Sequence, residues 1–194
     1  ADNPALRAGI AARDPLLPDY IQETGPESIR GLGGAARWWL HGSLEALDGE
    51  LRKLGSRLIL RRGEAKAELS ALVSETGAGA VFWNRRYHPD AREIDAAIKT
   101  SFERDDLTVR SFNGSLLIEP WEVETGEGSF YRVYTPFARA ARQKLSAMTP
   151  MAAPESDLPP PRRWPDGLAL GELKLRPEKP DWAGGLRETW TQGE

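Results

Sequence analysis

Two arginines, a tyrosine and a histidine stand together in Asn84-Arg85-Arg86-Tyr87-His88, directly after the short apolar run Val81-Phe82-Trp83. Guanidinium groups hold carboxylates and phosphates through forked hydrogen bonds, and a tyrosine adds an aromatic face with a polar tip. Such a loop offers recognition of a planar, anionic ligand. The bland alternative is that Arg85 and Arg86 are solvated and Tyr87 packs over the next helix. A further cation, Arg37, lies on the first turn of the longest helical pattern, beside Trp38. Gly31-Leu32-Gly33-Gly34 just before it could place an anion at that helix's amino end, although the dinucleotide fingerprint and the G-x-x-x-x-G-K-S/T loop are both lacking.

The elements that must position these residues alternate. Asn3-Pro4 starts a helix, with asparagine as cap and proline at the first helical position. Leu16 to Ile21 reads as a strand weakened by the internal Pro18. Ala35 to Leu54 is a helix, its apolar stripe formed by Trp39, Leu40, Leu44, Leu47, Leu51 and Leu54. This phase puts Trp39 in the core and leaves Trp38 the freer ring, with His41 on the flank. Strands follow at Leu58–Leu60, Val81–Trp83 and Leu107–Phe112, and helices at Ala65–Glu75 and Pro89–Phe102. Leu116-Leu117-Ile118 continues as extended chain, Thr125 to Gly128 turns, and a last helix runs from Phe137 to Met148. Asp90, Arg92, Glu93 and Asp95 form a charged helix face with pairing inside the helix.

This order predicts an α/β fold, a Rossmann-like, doubly wound, open parallel sheet. In such sheets, the loop at the carboxyl end of a strand is where ligands bind. Residues 1–148 form the α/β domain and residues 149–194, studded with prolines, a linker or wrapping tail, loosely held.

Composition narrows the chemistry. Among 194 residues there is no cysteine and only two histidines, His41 and His88, which excludes thiolate metal sites, disulfides and a cysteine nucleophile. A net charge of −3 advertises no nucleic-acid surface, and no apolar run approaches a membrane span, so a cytoplasmic protein without membrane contact is expected.

Four segments together resemble the amino-terminal domain of the DNA photolyase/cryptochrome family. Asp2-Asn3-Pro4-Ala5-Leu6 is similar to its first helix start, and Trp83-Asn84-Arg85-Arg86-Tyr87 to its W-N-x-x-Y loop. Tyr131-Arg132-Val133-Tyr134-Thr135-Pro136-Phe137 resembles its Y-x-V-Y/F-T-P-F signature. Gly185-Leu186-Arg187-Glu188-Thr189-Trp190-Thr191-Gln192-Gly193-Glu194 resembles G-L-x-x-x-W-x-P-G-E, with Gln192 where proline is common.

The resemblance implies a light-driven lyase that repairs cyclobutane pyrimidine dimers, using FAD held by a helical domain beyond this sequence. That domain and, through it, damaged DNA are the implied partners. On this basis the full-length protein is an enzyme and this chain alone is inactive, with no catalytic residue of its own. The domain would hold an antenna chromophore (a folate, a deazaflavin or a flavin) on Arg37, Trp38, Asn84, Arg85, Arg86 and Tyr87. Arg86 stands where deazaflavin binders often have aspartate, and Asp90-Ala91 where folate binders have Asn-Glu. A cryptochrome-type blue-light sensor and a free-standing nucleotide-binding protein are the alternatives.

The family's central first strand, expected before Asp2, has no counterpart in the sequence. Unpaired inner edges cost on the order of 1–3 kcal/mol per buried group. A gap, closure of the flanking strands, or self-association through exposed edges is therefore expected.

Overall fold

The computed structural model describes residues 3–24, 31–145 and 158–193. The expected helix end at Met148 and the boundary beside it lie outside the described residues.

Asn3 opens the first helix, α1 (Pro4–Ala12), its side-chain oxygen accepting from the Leu6 amide at 3.0 Å. The same carboxamide accepts from Asn84 at 3.1 Å, and Asn84 in turn accepts from the Ala5 amide. Asn3→Ala removes a cap and a tether together, and should cost about 1–2 kcal/mol in a urea denaturation series.

Four strands follow: β1 (Asp19–Glu23), β2 (Ile59–Gly63), β3 (Ala80–Asn84) and β4 (Thr108–Phe112). The helices between and after them are α2 (Gly34–Lys53), α3 (Ala65–Thr76), α4 (Pro89–Arg104), α5 (Tyr134–Leu145) and α6 (Gly184–Thr189). β1 starts after Pro18, later than the sequence suggests, because proline offers no amide to a ladder. The Pro18 carbonyl instead accepts from Ile59 as the pairing with β2 begins. Leu116 to Ile118 forms no strand, and Leu117 is exposed. α3 closes on Gly77, whose φ of 69° suits the left-handed cap position.

The strands form two parallel pairs, β1 with β2 and β3 with β4, and among the described residues no strand joins the pairs. Within the chain, the flanking strands β1 and β3 do not close onto each other, and a gap lies between the pairs. Side chains span it at the carboxyl ends of the strands, where Arg86, just after β3, pairs with Glu23 at the end of β1.

Each pair has its own core. Leu44 of α2 and Leu60 of β2 pack with Leu173 and Leu175 of the proline-rich segment. Ile98 and Phe102 of α4 pack with Ala65 of α3 and Val109 of β4. The carboxyl-terminal segment is therefore not loosely held where it is described. The Leu168 amide bonds the Leu60 carbonyl on the edge of β2, Leu158 bonds Leu54, and Leu158, Leu173 and Ala183 are among the most buried residues. Its prolines leave it only a 3₁₀ turn at Leu170–Leu173 and the short α6 among the described residues, yet its leucines fill the layer between α2 and β2.

That segment also reverses the expected roles of the paired tryptophans. Trp38 is 2% exposed and Trp39 37%. Gln192 returns to donate to the Trp38 carbonyl and packs at Gly42, so the face of α2 carrying Trp38, His41 and Gly42 is covered. Trp39 meets the tilted ring of Trp38 and the edge of Trp190, ring centroids 6.2 Å apart in each case, on the outer side.

Candidate functional site

Because β3 ends at Asn84, the next three residues fan out over the carboxyl ends of the strands. Arg85 sends a two-pronged guanidinium to the Glu119 carboxylate, at 2.6 and 2.8 Å, and a third bond to the Ser111 carbonyl at 2.6 Å. Tyr87 donates its hydroxyl to the same carboxylate at 2.6 Å. Glu119 is 6% exposed, and Trp121 covers the group, with Arg85 5.8 Å from its ring and Tyr87 6.2 Å away, ring to ring.

Burial acts against the Glu119 carboxylate, but the Arg85 fork and the Tyr87 hydroxyl outweigh it and hold its pKa below the usual range. Burial, followed by the neighbouring carboxylate, pushes the Tyr87 hydroxyl up, so it stays protonated and donates. The Glu119 carbonyl also accepts from the Glu122 amide at 2.9 Å across a short 3₁₀ turn, Pro120–Glu122, while the Glu122 carboxylate reaches back to the Glu119 amide.

Arg86 points elsewhere. It pairs with Asp95 of α4 at 2.5 Å as well as with Glu23. Burial opposes its charge, but the two carboxylates prevail and keep it protonated. Asp95 thus serves the loop, correcting the expectation that it pairs within its own helix.

Of the six residues singled out in the sequence, four, Asn84 to Tyr87, are neighbours, and their polar groups are taken up by Asn3, Glu119, Asp95 and Glu23. Trp38 is buried in the α2 core, so its ring is not a free stacking surface. Arg37 lies apart, on an open cleft of about 470 Å³ with Lys174, Arg176, Pro177, Glu178 and Lys179. His41 is buried rather than solvated on a flank, at 7% exposed, and its Nδ1 has no hydrogen-bond partner among the described residues. Burial first, then the charge of Arg176, lowers its pKa, with Glu45 opposing.

Glu119 is the residue that the sequence reading missed. Its signal was a carboxylate before Pro-Trp-Glu, the spacing of a capping turn, near two unassigned arginines.

The profile described as DNA photolyase matches residues 1–157. The chain belongs to the DNA photolyase family.

Within that family, the deoxyribodipyrimidine photo-lyase of Agrobacterium fabrum is 47% identical over 194 residues, all of this chain and 40% of that protein. Cryptochrome-1 of Arabidopsis thaliana is 37% identical over 163 residues, 84% of this chain and 23% of that protein. The crystal structure of a bacterial class III photolyase from Agrobacterium tumefaciens matches with a TM-score of 0.87 at 47% identity, covering 99% of this chain and 39% of that one. The chain thus spans less than half the length of these relatives. Among the described residues, no helix is long and apolar enough to cross a membrane, and no group of acidic residues and histidines is placed to hold a metal.

Proposed function

We propose that this chain is the α/β domain of a deoxyribodipyrimidine photo-lyase, which splits cyclobutane pyrimidine dimers in DNA under light. The observation that carries it is the 47% identity to the Agrobacterium fabrum photo-lyase across the whole chain. FAD supplies the light-driven electron in such a reaction, and its site belongs to chain beyond these residues. The present residues fit a supporting role. Tyr134, Phe137, Phe130 and Val133 leave an exposed apolar patch at the start of α5, suited to docking the rest of the protein.

An antenna chromophore on this domain is part of the same proposal, with uneven support from the side chains. Arg85 and Arg86 are neutralised by carboxylates already present, so they brace the sheet ends and leave little charge for an acidic ligand tail. Arg37 has no ion-pair partner among the described residues. A photosensor of the cryptochrome type is the second reading, favoured by the 37% identity to Cryptochrome-1.

The test uses the protein in the longest form its gene encodes, loaded with FAD. Light-dependent loss of dimers from irradiated DNA, absent in the dark, is the expected result. A light-induced flavin spectral change with no loss of dimers would select the photosensor, and no response to light would overturn both.

A further inference from the structure

α2 carries a second apolar stripe that points away from the core. One face of the helix packs inward through Trp38, Leu44 and Leu51. On the opposite side, Trp39, Ser43 and Leu47 follow at four-residue steps and therefore line up along the surface. Trp39 is 37% exposed and Leu47 44%. Trp190, 59% exposed, meets the edge of Trp39 and widens the patch on one flank. A contiguous patch of large apolar side chains marks an interaction surface, and tryptophan is enriched where proteins meet.

The spacing of this stripe is symmetric about Ser43. Trp39 and Leu47 stand four residues to either side of it, and Ala36 and Glu50 seven. A second α2 laid antiparallel on the first, with both copies of Ser43 at a twofold axis, sets each Trp39 against the other copy's Leu47. Serine at the axis is small enough to let the helices approach to about 8–10 Å between axes. The ends complement each other as well. The amino end of α2 has no side-chain cap and no acidic residue in its first turn, so nothing in the helix answers its positive dipole end. In this pairing the second copy's Glu50 arrives at Ala36, within that turn. Within one chain Glu50 pairs with Lys53 at 2.5 Å, but both side chains are well exposed and such pairs contribute little.

We infer that this face of α2 is a self-association surface, through which two copies of the chain pair as antiparallel helices. A twofold interface must be complementary to itself. The apolar centre, the small residue at the axis and the opposed charges at the ends meet that requirement. The inner edges of β1 and β3 take no part in it, so pairing of strands between copies is a different outcome. The inference stands apart from the repair reading, since it needs neither light nor flavin.

The test is sedimentation equilibrium of the longest form of the protein over a concentration series, with the parent, Leu47→Glu and Ser43→Cys. A reversible monomer–dimer equilibrium is expected for the parent. Leu47→Glu should weaken it about tenfold or more, because a carboxylate then faces the second copy's Trp39. Leu47 is open to solvent in the single chain, so this variant should melt with the parent where both are monomeric. Under mild oxidation, Ser43→Cys should give a covalent dimer in which mass spectrometry finds position 43 joined to position 43, since only closely opposed residues can bridge. A parent that stays monomeric throughout overturns the inference, including the case in which chain beyond these residues covers the stripe. Association that Leu47→Glu leaves intact, or that gives no link between the two positions 43, also overturns it and assigns the contact to another surface, such as the sheet edges.

Discussion

Glu119→Ala should lower the stability of the domain by about 2–4 kcal/mol, read as a shift in urea midpoint at unchanged slope. The carboxylate is 6% exposed and accepts three hydrogen bonds, two from the Arg85 fork and one from Tyr87. Removing it leaves a guanidinium and a phenol without their partner beneath Trp121. The lower part of the range allows for Arg85, whose side chain is 31% exposed and so recovers some solvation. A double-mutant cycle with Arg85→Ala should show that the two losses do not add, because either change alone abolishes the fork. Additive losses would mean that the pair is not coupled.

The same carboxylate gives the fold an acid limit. Its pKa in the folded state lies below the usual range, while in the unfolded chain it titrates near 4.3. Its contribution is therefore complete above about pH 4.3 and is lost as pH falls through the lower folded value. Parent and Glu119→Gln should differ most near neutrality and converge as acid protonates the parent. A gap that stayed constant from pH 7 to pH 3 would assign the stability difference to another cause.

What the sequence disclosed and what it hid divide by range. α3 and α4 were legible because Gly77 and Pro89 punctuate them and their apolar residues repeat at helical spacing. The β3 end and its cluster of polar residues were legible for the same reason, a short apolar run broken by charge. The orientation of α2 was not. Its surface is apolar over more than one stripe, and the choice between Trp38 and Trp39 is made by Leu173, Leu175 and Gln192, more than 130 positions away in the chain. Likewise, Arg85 reads as a free cation only while Glu119, 34 positions distant, is unplaced. Proline density was the misleading signal. It correctly denies α-helix and strand to residues 158–181 but says nothing about burial, which depends on where the leucines between the prolines fall.

Leu173→Ala puts that last point to a quantitative test. Leu173 is 1% exposed and shares a cluster with Leu44, Leu60 and Leu175, so truncation removes buried methyl groups and leaves a cavity between α2 and β2. Comparable changes cost 2–5 kcal/mol, and about 3 kcal/mol is expected here. Its backbone is pinned on the same side, since its carbonyl accepts from Gln22 of β1 and Arg62 of β2 donates to the neighbouring Glu172 carbonyl. Those tethers limit how far the segment can sink to fill the void, which places the expected loss away from the bottom of the range. Leu117→Ala, at a 71% exposed position in a loop, is the matched control and should stay within about 0.5 kcal/mol of the parent. If the segment merely lay against the sheet as a detachable strap, the two substitutions would cost alike. A loss at Leu173 several times that at Leu117 makes it part of the folding unit, joined to α2 and β2 through one continuous core.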